Sequence, residues 1–127
     1  MKTILIIDDT EDYAESLRFV LERAGFRVVF AGNGKNGLEK AVEIKPDLIL
    51  MDVLMPEQDG VQTTLLIREQ PALNNIPVLF LTAVTAGEHV VMSVKGQDYP
   101  AISKMADHGR ILEKIRQCLE KPPASRT

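Results

Sequence analysis

Asp8, Asp9 and Asp52 are placed where three carboxylates can meet. Ile4-Leu5-Ile6-Ile7 runs into Asp8-Asp9, and Leu48-Ile49-Leu50-Met51 runs into Asp52. Unbroken apolar runs of this length read as buried parallel strands, and open α/β sheets carry their chemistry just past the carboxyl ends of such strands. Acids gathered on one rim repel and raise each other's pKa, so the cluster suits a hard divalent cation, acid/base work, or both. Thr82 and Lys104 end two later strand-like runs, which brings a hydroxyl donor and a cation to the same rim. Mg²⁺ keeps several waters and takes only one or two carboxylates plus a substrate phosphate, which fits Asp9, Asp52 and a nearby backbone carbonyl, with Asp8 holding a metal-bound water. With Thr82 and Lys104 facing the equatorial oxygens of a transferring phosphoryl group, Asp52 is the candidate nucleophile.

The elements that must position these groups alternate. Strand-like runs occupy Thr3 to Ile7, Arg27 to Ala31, Asp47 to Met51, Pro77 to Thr82 and Ala101 to Ser103, with helical patterns between them. Ala14, Leu17, Leu21 and Ala24 share one helical face, as do Ile111, Leu112, Ile115 and Leu119, and a helix is expected to carry Val90, Val91 and Val94. Gly25, Pro46 and Pro71 stop the first three helices, and Asp107 is a candidate N-cap for the fifth. Strict βα alternation predicts a doubly wound, five-stranded parallel sheet with helices on both faces. A 2-1-3-4-5 strand order makes the first and third strands neighbours, so that Asp9 and Asp52 share one crevice.

A chain of 127 residues fits one domain, here residues 1–121, with 122–127 expected as a tail or the start of a linker. A net charge of -3 without a basic patch argues against nucleic acid as a partner. The lone Cys118 excludes an intrachain disulfide and fits the cytoplasm, and the apolar stretch before Asp8 is too short to be a signal segment or a membrane span. His89 and His108 lack partners at ligand spacing and are given no role.

Taken together, the acid pair Asp8-Asp9, the stretch Asp52-Val53-Leu54-Met55-Pro56-Glu57-Gln58-Asp59-Gly60, Thr82-Ala83 after an apolar strand, and Lys104 before the last helix resemble a receiver domain of the two-component response regulators, over nearly the whole chain. The resemblance implies that Asp52 accepts a phosphoryl group from a sensor histidine kinase or histidine phosphotransfer protein. It further implies that Asp8, Asp9, Asp52 and the Leu54 carbonyl bind Mg²⁺, and that Thr82 and Lys104 contact the phosphoryl oxygens. Such a domain catalyses only its own phosphorylation and dephosphorylation, and signals to a downstream protein by reshaping the face of the fourth helix, fifth strand and fifth helix.

The chain also departs from the family. Met105 stands where a cis-proline usually follows the lysine, so a trans Lys104-Met105 bond and a displaced loop are expected. Ala101 occupies the switch-aromatic position, which Tyr99 can fill only if the strand carries a bulge or insertion. Leu54 and Val84 are apolar and cannot orient an attacking water, which predicts a long-lived acyl phosphate.

Two other readings compete with this one. Gly32-Asn33-Gly34-Lys35-Asn36-Gly37 matches a dinucleotide-binding fingerprint, but it follows the second strand, the chain has no room for a substrate domain, and the acids of the first βα turn would repel a pyrophosphate. The glycines are better read as a turn and a close helix start. The other is a receiver-like binding module that acts without phosphorylation.

Overall fold

The computed structural model describes residues 1–53, 59–83 and 90–120. In chain order the elements are β1 (Thr3–Ile7), α1 (Glu11–Arg23), β2 (Arg27–Ala31), α2 (Gly34–Ile44), β3 (Leu48–Asp52), α3 (Gly60–Glu69), β4 (Val78–Thr82), β5 (Val90–Val94), β6 (Gln97–Ser103) and α4 (His108–Glu120). The strands form one sheet in the order β2-β1-β3-β4-β6-β5. Every pairing is parallel except that of β5 with β6. The predicted crevice is therefore present, with β1 and β3 adjacent and Ile7 opposite Met51.

The sheet separates two cores, as the apolar runs require. On one face Ile4, Ile6, Leu48 and Leu50 pack with Ala14, Leu17 and Leu21 of α1 and Ile111, Ile115 and Cys118 of α4. On the other, Leu5, Ile7, Ile49 and Met51 pack with Ala41 of α2 and Ile67 of α3. Caps fix where the helices begin: Asn33 accepts from the Asn36 amide, Asp59 from Gln62 and Asp107 from Arg110, at 2.8, 2.8 and 3.0 Å. Gly25, at φ 97°, ends α1 as its position suggests. Of the fingerprint-like glycines, Gly37 serves packing, because a Cβ there would run into the Ile7 side chain beneath α2.

One expected element is replaced. Val90, Val91 and Val94 do not sit on a helix; they belong to β5, an antiparallel edge strand that makes the sheet six-stranded instead of five. The cause is local. Lys95 and Gly96, at φ 49° and 79°, form a two-residue turn whose twist suits a hairpin, and β5 is rich in β-branched residues. The hairpin pairs Val94 with Gln97 and Met92 with Tyr99, and β6 begins four residues earlier than Ala101.

The β6 register also decides the switch position. Phe80, Leu81 and Thr82 pair in step with Ala101, Ile102 and Ser103, so no bulge shifts Tyr99 toward the rim. Tyr99 is instead buried and meets Phe80 edge-on, with ring centroids 5.6 Å apart. Its hydroxyl accepts from Arg68 Nε at 3.1 Å and donates to Gln97 at 3.2 Å, while the guanidinium lies over the ring. No cis peptide occurs among the described residues, so the Lys104-Met105 bond is trans as expected.

Candidate functional site

The site is built from strand ends. Asp8 leaves β1 with its amide bonded to the Ala31 carbonyl, and its Oδ1 accepts the Thr10 amide at 2.8 Å, which closes the turn into α1. Asp52 ends β3. Behind it the amide of Gly60 donates to the Val53 carbonyl, and a Cβ on Gly60 would strike the Asp52 carbonyl, so glycine lets α3 begin this close to the acid. Lys104 follows β6, and its amide donates to the Thr82 carbonyl at 2.7 Å. The next turn is held by Ser103, whose hydroxyl oxygen accepts the Met105 amide at 3.0 Å.

These elements bring together the acids read from the sequence. One carboxylate oxygen from each of Asp8, Asp9 and Asp52 lies within 4.8 Å of the others. Asp8 and Asp52 are buried, whereas Asp9 faces solvent. Lys104 Nζ lies 2.8 Å from Asp8 Oδ2 and 3.7 Å from Asp52 Oδ2. Among the described residues Asp8 Oδ2 has this ion pair with Lys104 and no hydrogen-bond partner. Thr82 ends β4 opposite Ser103, on the same rim.

Burial and the neighbouring Asp8 charge push the Asp52 carboxyl up to about 7, against the pull of Lys104. A buried acid raised this far lacks positive charge. The donor set consists of hard oxygens at the spacing of a shared cation, and Asp8 Oδ2 is buried with an ion pair but no hydrogen-bond partner among the described residues, so the residues fit Mg²⁺. Leu54, the expected carbonyl ligand, lies outside the described residues, as do Val84 and His89.

Sequence reasoning missed Tyr13. It stands one helical turn beyond Asp9, its ring face 4.6 Å from Lys104 Nζ and its edge against His108 at 6.0 Å. Its hydroxyl is buried without a hydrogen-bond partner among the described residues, and burial, then Asp8 and Asp52, raise its pKa. The only signal in the sequence was an aromatic residue one turn past an acid pair.

The family model described as response regulator receiver domain matches residues 4–116. The polar-differentiation response regulator DivK of Brucella anthropi is 31% identical over 93% of this chain and 96% of its own length. The alkaline phosphatase synthesis transcriptional regulatory protein PhoP of Bacillus subtilis is 42% identical over 65% of this chain, and the match spans only 33% of that relative. Among solved structures, the chemotaxis protein CheY4 of Vibrio cholerae superposes with a TM-score of 0.81 at 25% identity, covering 93% of this chain and 98% of that one. Among the described residues no helix is long and apolar enough to cross a membrane.

Proposed function

This chain belongs to the response regulator receiver domain family, and on that premise we propose that Asp52 accepts a phosphoryl group from the phosphohistidine of a sensor kinase or phosphotransfer protein. The observation that carries the assignment is the rim itself. A buried carboxylate at the end of β3 is flanked by two further acids and by a lysine 3.7 Å away.

An Asp52 oxygen attacks phosphorus as the bond to the imidazole nitrogen breaks, and the donor's imidazole leaves with the bonding pair. The Lys104 ammonium and the Thr82 hydroxyl are the protein's own donors toward the phosphoryl oxygens. Asp8, Asp9 and Asp52 would hold Mg²⁺, with the Leu54 carbonyl completing the set. The bound ion supplies charge that favours ionised Asp52 and offsets the phosphoryl oxygens.

By this reading the domain acts catalytically only on its own aspartate, and works in the cytoplasm through a protein partner. The helix expected to reshape on activation is replaced by β5, and Tyr99 is fastened to Arg68, so the output surface includes the β5–β6 hairpin in place of a fourth helix. The reading is tested by incubating the protein with Mg²⁺ and a small acyl phosphate and following intact mass. A gain of one phosphoryl group that Asp52→Asn abolishes is expected; no gain, or one that survives the substitution, refutes it.

A further inference from the structure

Resting on the reading of Asp52 as phosphoacceptor, we propose that Tyr13 is a positioning residue whose ring face holds the Lys104 ammonium in place above the acid pocket. Lys104 leaves β6 on a short turn, and the residue after it, Met105, is 75% exposed. Among the described residues the Lys104 ammonium is faced by Asp8 at 2.8 Å, Asp52 at 3.7 Å and the Tyr13 ring at 4.6 Å. The carboxylates alone set a direction of pull and draw the ammonium toward Asp8. The ring supplies the third side.

A cation over an aromatic face is attracted by the ring quadrupole, more strongly where water is scarce, and the Lys104 side chain is only 17% exposed. The platform is itself fixed. Tyr13 sits in the first turns of α1, and His108 at the start of α4 meets its ring edge-on at 88°, so both helices of that face set the ring's angle. An ammonium held before the donor arrives spares the reaction the entropy of placing it.

The hydroxyl separates this role from a direct one. It is buried without a partner among the described residues, so the ring, and not the O–H, makes the contact with Lys104. Tyr13→Phe keeps the platform and removes only the hydroxyl, whereas Tyr13→Leu removes the platform.

The test uses the full chain with Mg²⁺ and a small acyl phosphate, following the rate of mass gain. Tyr13→Phe is expected within about twofold of the parent and Tyr13→Leu about tenfold slower. The double variant Tyr13→Leu/Lys104→Met is expected to be no slower than Lys104→Met alone, because residues acting as one unit are not additive. A second readout needs neither metal nor phosphodonor. In protein with ¹⁵N-labelled lysine, the Lys104 ammonium resonance is shifted upfield by the ring in the parent and in Tyr13→Phe, and relaxes in Tyr13→Leu. Tyr13→Met replaces Tyr13→Leu if circular dichroism shows the latter unfolded. A Tyr13→Phe loss equal to that of Tyr13→Leu, an additive double variant, or an unmoved ammonium resonance overturns the proposal. If the parent takes up no phosphoryl group at Asp52, the phosphoacceptor reading fails, while the resonance still decides where Lys104 is held.

Discussion

Replacing the proposed phosphoacceptor should stabilise the metal-free protein, and increasingly so as pH rises above the carboxyl's unfolded value. The native Asp52 carboxyl is raised from its ordinary 3.8 to about 7, chiefly by burial and then by Asp8, so the folded state holds its proton more tightly than the unfolded chain does. Below the unfolded value both states are protonated and no penalty exists. As pH rises toward the folded value the penalty accumulates, and above it the penalty is complete. At about 1.4 kcal/mol per pKa unit the ceiling is about 4 kcal/mol, and relaxation and water entry at the rim should leave about 2 kcal/mol. Asp52→Asn removes the charge while Lys104 keeps its nearer partner Asp8 at 2.8 Å. Urea unfolding by circular dichroism in EDTA should therefore give parent and variant nearly equal stability at about pH 4 and an advantage of about 2 kcal/mol to the variant at about pH 8, with unchanged m-values. Saturating Mg²⁺ should narrow the gap, since a ligand that binds only the native state stabilises it by mass action. Equal stabilities at the higher pH, or an advantage as large at the lower one, would refute the account of Asp52 as a penalised buried acid.

Three further outcomes follow from the packing. Gly60→Ala drives a Cβ into the Asp52 carbonyl and should cost about 2 kcal/mol in urea unfolding while weakening Mg²⁺ binding, because α3 must retreat from the pocket. Arg68→Ala leaves the Tyr99 hydroxyl with only Gln97 among the described residues and removes the cation from its ring, so a loss of about 1–2 kcal/mol is expected, again by urea unfolding. Gly96→Val forces a β-branched residue to φ 79° and should lower hydrogen-exchange protection in β5 much more than in β1 or β3, since only the edge hairpin depends on that turn.

The acid pocket was legible because strand ends in a parallel sheet are dictated by where apolar runs stop, and Asp8, Asp9, Asp52, Thr82 and Lys104 all stand at such stops. The parallel sheet followed from alternation, the β2-β1-β3-β4 order matches the arrangement assumed for such a sheet, and the core faces of α1 and α4 followed from helical spacing. The expected helix at Val90 to Val94 failed for an instructive reason. The β-branched residues and the Lys95-Gly96 turn favour a hairpin locally, and a helical reading of this stretch takes no account of that turn. The partnership of Tyr13 with Lys104 was illegible for another reason: 91 residues of sequence separate them, and only the packing of α1 beside the turn into α4 brings ring and ammonium together.

The shared core of α1 and α4 has a consequence for how the chain comes to be folded during synthesis. Ile4, Ile6, Leu48 and Leu50 emerge early, yet the face they present is closed by Ile111, Ile115 and Cys118, which emerge near the end. Until α4 emerges, Ala14, Leu17 and Leu21 cover that face from one side only, and the nascent intermediate leaves strand side chains exposed. Closure of that face therefore waits for α4, and a nascent chain whose β6 has emerged but whose α4 has not should display an open sheet face.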